Sequence, residues 1–290
     1  MTILDMISKI LMPVALIIVM LGMGLTLKIS DFKRVITFPK AGFLGIAGQI
    51  ILLPIMALIF ISLIPMPPEI AIGIIVLSAC PGGIVSNIIV FSGKADTALS
   101  VTLTAINSFV TVFSIPFIVQ AGLIFVLGEG EAPDLPVLKL MGMLFGMTVF
   151  PVGLGMIIGA KKPALAVRYE PLFRKAGTIL IILFIIFAVW GEIDFVLENL
   201  ASVAPLALFF NLVMMTIGFF LAHLFSLELL QKITITVEIG VQNNILAFLV
   251  ALTILNNKQY MTFAAFYGIL MLFTAFGFVT YMRKTKIEKQ

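Results

Sequence analysis

The chain has few charged residues and a single cysteine. Of its 290 residues, 11% are charged and 61% are hydrophobic, whereas soluble domains carry about 25% charged and about 45–50% apolar residues. This shortage of charge excludes a large soluble core, and no polar stretch is long enough to form a separate soluble domain. Because Cys80 is the only cysteine, no disulfide can form within the chain.

The motifs of common enzymes are also missing from the sequence. His223 is the only histidine, and we find no Ser–His–Asp arrangement, metal-ligand cluster, phosphate-binding loop or pair of carboxylates inside an apolar run. Cys80 is embedded in an apolar run, which is typical of an inert small hydrophobic residue rather than a nucleophile. We therefore predict that the protein is not an enzyme and that it uses no organic cofactor.

Long apolar runs fill the chain instead. Nine of them are long enough to cross about 30 Å of hydrocarbon, which predicts a single all-α polytopic membrane domain over residues 1–290 with about nine transmembrane helices. The first run has no basic leader or small-residue cleavage site before it, so we expect it to be a retained span. The predicted spans are residues 10–27, 41–63, 69–91, 98–127, 135–160, 175–191, 200–224, 229–255 and 260–282.

Loop charge alternates along the chain. Most Lys and Arg residues follow the odd-numbered spans, whereas Glu129, Glu131 and Asp134 share a loop on the opposite side. The positive-inside rule places the basic loops in the cytoplasm. We therefore predict a multi-pass protein of the cell (inner or plasma) membrane, with its N-terminus outside and its C-terminus cytoplasmic. The net charge of +4 is accordingly interpreted as a preference for the lipid bilayer and not for nucleic acid.

The eighth span contains polar residues that a lipid-facing helix would not tolerate. Glu238 lies near its middle, where a charge costs on the order of 3 kcal/mol or more. Gln242, Asn243 and Asn244 follow so closely that one helical face cannot hold all four side chains. A helix break near Gly240 would remove the conflict, because unwound backbone can line a polar cavity.

The third span repeats this pattern. A Pro-Gly-Gly run at residues 81–83 interrupts it, and Ser86 and Asn87 follow directly. Segments 83–88 and 240–245 share a glycine, an asparagine and an isoleucine at matching positions. Each lies in the next-to-last span of its half of the chain, and paired interrupted segments of this kind indicate an inverted-repeat transporter. We therefore predict two broken helices that cross.

Further polar residues lie in the second and fourth spans. Ser100, Thr104, Asn107 and Ser108 share one helical face, and Gln49 is an isolated amide. A single hydroxyl could instead bond to its own helix, and Gln49 could join two helices by packing. Taken together, one carboxylate among neutral oxygens suits sodium, since calcium prefers more carboxylates and zinc prefers His or Cys.

The same interruptions predict an anion site. The second half of a broken helix begins with free N–H groups and a partial positive charge, and two such beginnings would meet near residues 84–86 and 243–245. That arrangement binds anions. We therefore predict cotransport of sodium ions and a small organic anion. Proton-coupled or uncoupled transport of the anion, with Glu238 as the proton site, is kept as the alternative.

At these residues the chain resembles the bile acid:sodium symporter family in its bacterial and archaeal form, over nearly all of its length. The motifs that carry the resemblance are residues 22–27 with Asp31 and Phe32, Gln49 with Pro54, residues 80–83, Ser86 with Asn87, residues 98–101 with Thr104, and residues 238–243. The resemblance implies alternating access by an inverted-repeat fold with ten spans in bacterial relatives, of which this chain would lack the first. The implied repeats are about 1–127 and 135–282, with a core of spans 41–127 and 200–282 and a panel of spans 10–27 and 135–191.

The resemblance also implies particular ligands. One sodium site would use Ser86, Asn87, Ser100, Thr104 and Glu238. A second would use Gln49, Glu238 and Gln242 with the backbone carbonyls of Ile239 and Val241. The substrate would meet Ile84, Val85, Asn243 and Asn244. Because Ile84, Leu272 and Phe273 are apolar where a hydroxylated substrate would need polar groups, a smaller pantoate-like acid is expected at least as readily as a bile acid.

Overall fold

The structure is a computed structural model that describes residues 10–191 and 193–287, and within these residues the regular secondary structure is entirely helical. The first half contains α1 (Met12–Thr26), α2 (Ile29–Thr37), α3 (Pro39–Ala47), α4 (Leu53–Leu63), α5 (Pro68–Ser78), α6 (Ile84–Ser92) and α7 (Thr97–Leu127). The second half contains α8 (Val137–Leu144), α9 (Phe150–Lys161), α10 (Pro163–Gly191), α11 (Ile193–Leu224), α12 (Leu229–Gly240), α13 (Asn244–Leu249) and α14 (Thr262–Ile287).

Three wider π-helical turns are present, of which two join neighbouring helices and the third extends α13. These turns are Gly48–Leu52 between α3 and α4, Phe145–Val149 between α8 and α9, and Val250–Ile254 after α13. A π turn places one extra residue in a helical turn, and it is common at functional sites. The first of the three contains Gln49, one of the predicted ligands.

Helix length and composition identify a polytopic membrane protein. In the part of the chain that the structure describes, six helical stretches are long and apolar enough to cross a bilayer. They are Pro39–Leu63, Thr97–Leu127, Val137–Lys161, Leu197–Leu224, Leu229–Ile254 and Gln259–Lys284. The apolar helices α1 and α5 are shorter, and most side chains of the sixth predicted span lie outside the described residues. The total of nine spans therefore stays a prediction.

Both predicted interruptions are present, and they touch. Residues 79–83 separate α5 from α6, and residues 241–243 separate α12 from α13. The backbone N–H of Asn243 donates to the carbonyl of Cys80 over 3.1 Å, which joins the two unwound segments directly. This hydrogen bond satisfies part of the backbone N–H and C=O groups that the two interrupted helices leave without partners. Inside a membrane such groups must be satisfied by the protein itself.

The helix α12 occupies the centre of one group of helices. It is buried along nearly its whole length and contacts α3, α6, α7, α11 and α14. A helix surrounded on all sides can carry polar groups on several faces, because none of them meets lipid. This position accounts for the carboxylate and amides that the sequence places near its end.

A second group packs α1 against α9 and α10. Glycines allow α1 and α9 to approach until their backbones touch: Gly24 lies against the backbone of Val152, and Gly155 lies against Leu21 and Gly24. A Cβ atom at Gly159 would come within 2.8 Å of the Leu25 carbonyl oxygen. Small residues at such contacts let transmembrane helices gain close van der Waals packing.

We expect Gly155→Leu to lower the melting temperature of the purified protein clearly, because the new side chain would push α9 away from α1. Overpacking of this kind costs about 1–3 kcal/mol or more. The matched control is Gly153→Leu on the same helix, where a Cβ atom would meet nothing within 4 Å. Equal melting temperatures for the two variants in detergent would contradict the close-packed interface.

Candidate ion and substrate site at the helix crossing

The carboxylate of Glu238 lies near the end of α12 and is 0% exposed. Its Oε1 accepts a hydrogen bond from Ser100 Oγ of α7 over 2.5 Å, and its Oε2 accepts one from Gln49 Nε2 over 3.0 Å. Ser86 of α6 also interacts with it. Three separate segments of the chain therefore hold this buried acid, which sequence analysis had predicted to be the central residue of the site.

Oxygen atoms crowd together beside this carboxylate. Asn87 Oδ1 lies 2.6 Å from Ser100 Oγ and 3.2 Å from Thr104 Oγ1, and Thr104 Oγ1 lies 3.0 Å from the Ser100 carbonyl. With the Ser100–Glu238 contact these make four oxygen–oxygen contacts, but the two hydroxyl groups supply only two hydrogens. With Glu238 ionised and Asn87 presenting its Oδ1, two contacts therefore bring lone pairs together, which is the environment that a hard cation stabilises.

The carbonyl groups at the end of α12 are satisfied mainly by side chains. The last carbonyls of a helix normally lack intrahelical partners. Here Val237 O accepts from Val241 N, Glu238 O from Gln49 Nε2, Ile239 O from Gln242 Nε2, and Gly240 O from Asn211 Nδ2 and Tyr267 Oη. The side chains of Gln49, Asn211, Tyr267 and Gln242 itself thus fix the end of α12, where Ile239, Val241 and Gln242 lie.

Two buried amide oxygens at the site accept no hydrogen bond. They are Gln242 Oε1 and Asn107 Oδ1, and their residues are 1% and 0% exposed. Leaving a buried acceptor without a donor costs about 1–3 kcal/mol, and such an oxygen is a suitable cation ligand. The donor set therefore fits a monovalent cation: one carboxylate, hydroxyls, backbone carbonyls and free amide oxygens.

Asn107 is a site residue whose role sequence analysis missed. Its Nδ2 donates to Gln49 Oε1, so that the Gln49 amide presents Nε2 to Glu238. Gln49 thus orients the carboxylate here, and its predicted role as a sodium ligand would require its amide to turn over. The signal was available, because Asn107 shares a helical face with Ser100 and Thr104, but its partner Gln49 in the π turn after α3 could not be known.

Gly82 makes the crossing possible. A Cβ atom there would lie 3.0 Å from the Val241 carbonyl oxygen, 3.2 Å from Ser86 Oγ and 3.3 Å from Gln49 Nε2. Any side chain would enter the space that these three groups share. The contacts also show that the predicted ligands Ser86, Gln49 and Val241 surround one small volume.

The predicted substrate residues fall into two groups. Ile84 and Val85 begin α6 and are half-buried, and no side chain caps this helix start. Asn243 caps α13 by accepting from Leu246 N over 3.2 Å, and its amide nitrogen lies 3.3 Å from the Cβ position of Gly83. The side chain of Asn244 instead lies against Gly268 of α14. The structure therefore brings the first three residues together and turns Asn244 away.

A cavity of about 260 Å³ adjoins the oxygen cluster through Asn87. It lies between α1, α6, α7 and the beginning of α10 and is mostly apolar. Its lining residues are Gly22, Met23, Thr26, Ile84, Asn87, Ile88, Phe91, Thr97, Val101 and Glu170. This volume lies below the usual range for drug-sized ligands, so it suits a small molecule with an apolar portion.

The matched family is the sodium bile acid symporter family, over residues 13–199, which is more than half of the 290 residues. The chain belongs to this family. The resemblance recognised in the sequence is thereby confirmed. The match to the symporter family ends before Glu238. The contacts in the structure connect α12 and its polar residues to the part of the site that the match covers.

Relatives of the symporter family align over most of this chain. "Uncharacterized sodium-dependent transporter YocS" of Bacillus subtilis is 30% identical over 230 residues, which cover 78% of this chain and 69% of that protein. "Probable sodium/metabolite cotransporter BASS1, chloroplastic" of Arabidopsis thaliana is 25% identical over 82% of this chain and 58% of its own length. "Hepatic sodium/bile acid cotransporter" of Rattus norvegicus is 25% identical over 82% of this chain and 66% of its own length. The chain thus spans little more than half the length of the Arabidopsis relative.

Proposed function

We propose that the protein is a sodium-coupled symporter that carries a small organic anion across a cell membrane by alternating access. The observation that carries the proposal is the buried Glu238 carboxylate inside an oxygen cluster at the crossing of two interrupted helices. Relatives named as sodium-dependent transporters and sodium cotransporters support it, as does membership of the symporter family.

Two sodium sites share Glu238 in this proposal. The first is formed by Ser86, Asn87, Ser100, Thr104 and the carboxylate, where oxygen–oxygen contacts outnumber the hydrogens. The second is formed by Gln242 Oε1, the carbonyls of Ile239 and Val241, and Glu238, whose carboxylate accepts a hydrogen bond from Gln49. A sodium ion supplies positive charge at the carboxylate, which would otherwise be costly inside a membrane. Occupied sites would stabilise the crossing, so that substrate binding depends on sodium.

The anion binds, in this proposal, where α6 and α13 begin. The N–H groups near Ile84 and Val85 are not capped by a side chain, and a helix start favours negative charge. Asn243 lies beside the same turn, with Asn244 behind it. The small apolar cavity next to Asn87 would hold the remainder of the substrate, which favours a small acid over a bile acid.

Movement of the core (41–127 and 200–282) against the panel (10–27 and 135–191) would expose the site to each side in turn. The cavity extends to Thr26 at the end of α1 and Thr97 at the start of α7, next to the basic loops. With the N-terminus outside and the C-terminus cytoplasmic, as the loop charges indicate, this side is the cytoplasm. The structure would then represent an inward-open arrangement.

Uptake by proteoliposomes tests the proposal. Small organic anions are first screened for thermal stabilisation of the purified protein in sodium and in potassium buffers, because a ligand that binds only the folded state raises its melting temperature. For the best ligand we expect uptake under an inward sodium gradient without a pH gradient. Uptake driven only by a pH gradient would instead support the proton-coupled alternative, and no flux under either gradient would overturn transport.

A further inference from the structure

The carbonyl oxygen of Gly240 receives two hydrogen bonds from side chains behind the ion site. Asn211 Nδ2 of α11 donates to it over 2.7 Å, and Tyr267 Oη of α14 donates over 2.9 Å. Both side chains are 0% exposed. Gly240 is the last residue of α12, so these two donors hold the point at which the helix ends and the unwound segment begins.

The Tyr267 hydroxyl also reaches the site itself. It lies within hydrogen-bonding reach of the side chains of Asn211 and Gln242, and Gln242 carries the buried Oε1 that accepts no hydrogen bond. Aromatic contacts fix the ring: the centroid of Phe210 lies 6.2 Å from that of Tyr267, and the centroid of Phe263 lies 6.0 Å away. The phenol therefore has little freedom to follow a movement of the unwound turn.

Thr274 contacts the second donor. Its hydroxyl donates to Asn211 Oδ1 over 2.6 Å, and Thr274 follows Tyr267 by about two turns of α14. If the Asn211 amide were reversed, its oxygen would face the Gly240 carbonyl oxygen at 2.7 Å, which is repulsive. The Gly240 carbonyl, which can only accept, thus selects the orientation in which Asn211 is a donor, and the Thr274 hydroxyl holds the amide oxygen on the other side.

We propose that Asn211 and Tyr267, with Thr274 behind Asn211, are positioning residues that set the sodium affinity of residues 239–242, where α12 ends and the unwound segment begins. The inference rests on the sodium sites of the proposed function. The carbonyls of Ile239 and Val241 flank Gly240, so an anchored Gly240 carbonyl fixes the peptide plane between them and limits how far its two neighbours can turn. Residues that orient metal ligands from behind commonly change metal affinity by about 10–100-fold when they are removed.

The test measures sodium affinity without transport. Melting temperatures of purified wild type and Tyr267→Phe are recorded as NaCl replaces KCl at constant ionic strength, and the sodium concentration at half-maximal stabilisation is determined. We expect Tyr267→Phe to raise this concentration on the order of tenfold. A purely structural role would lower the melting temperature in potassium alone and leave the half-maximal sodium concentration unchanged, which would overturn the inference.

Matched variants accompany this measurement. Tyr260→Phe makes the same change at a different tyrosine, which lies at the beginning of the last helical stretch, and it should leave sodium affinity unchanged. Thr274→Val should weaken sodium binding, whereas Thr274→Ser, which keeps the hydroxyl, should not. This pair decides the question even if Tyr267→Phe does not fold, since equal sodium affinities for the two Thr274 variants would overturn the inference.

The design separates this inference from the proposed function. If wild type gains no stability from sodium compared with potassium, the sodium sites themselves are wrong, and this inference is overturned with them. If wild type responds to sodium and the Tyr267 and Thr274 variants respond at the same concentration, only the positioning role is overturned. The positioning role is supported if the half-maximal sodium concentration rises in Tyr267→Phe and Thr274→Val but not in Tyr260→Phe or Thr274→Ser.

Discussion

Glu238→Gln is expected to abolish stabilisation by sodium and sodium-driven uptake while the protein still folds. Glutamine keeps the size of the side chain but removes the only carboxylate that α12 places at the crossing. The neutral oxygens that remain could still contact an ion, but nothing would balance its charge inside the membrane. In sodium-free buffer the variant should be at least as stable as wild type, because a buried uncompensated charge has been removed.

Thermal unfolding and uptake should be measured on the same preparations. Glu129→Gln is the matched control, since it neutralises an exposed carboxylate far along the chain from the crossing and should respond to sodium as wild type does. A Glu238→Gln variant with an unchanged sodium response would contradict the assignment. If it bound the anion tightly without sodium, Glu238 would act as a proton site, because glutamine resembles the protonated acid.

Gln49→Leu should reduce sodium binding almost as severely. Gln49 is 0% exposed and donates to both the side chain and the backbone carbonyl of Glu238. Leucine would leave the carboxylate without one of its donors and the Asn107 amide without its acceptor, so the carboxylate would lose its fixed orientation. We expect the half-maximal sodium concentration to rise by roughly a hundredfold, the upper end of the effect of losing a residue that orients a metal ligand.

A second variant, Asn107→Leu, tests whether Asn107 acts through Gln49. On its own it should weaken sodium binding less than Gln49→Leu does, because Gln49 keeps its bonds to Glu238. The double variant should weaken binding by clearly less than the sum of the two single effects, since the two amides act as one unit. Strict additivity of the two free-energy changes would show that Asn107 does not act through Gln49.

Several features followed from local pattern alone. The length of the apolar runs predicted a helical membrane protein, and the Pro-Gly-Gly run at residues 81–83 and the crowded polar residues after Glu238 predicted both interruptions. These predictions succeeded because lipid penalises polar groups and breaks in helices so strongly that each exception is visible in a short segment. The order of the motifs also predicted the family, which the comparison confirmed.

Other features were decided by contacts between distant parts of the chain. Gln49 and Glu238 are 189 residues apart in sequence, and Ser100 and Glu238 are 138 apart. Sequence analysis brought these residues together only through the family resemblance, and it assigned Gln49 as a ligand without seeing that Asn107 turns its amide nitrogen toward the carboxylate. A local pattern cannot determine which way an amide faces, because that depends on the partner across the helix interface.

The sequence by itself therefore determined the kind of protein and the positions of the two breaks, and it predicted the acid at the centre of the proposed site. Only the tertiary structure decided which side chains support that acid, and it added Asn107, Asn211, Tyr267 and Thr274. Hydrophobic periodicity and helix breaks are properties of neighbouring residues. Hydrogen bonds between buried helices depend on how α3, α7, α11, α12 and α14 pack, and no segment of the chain contains that information alone.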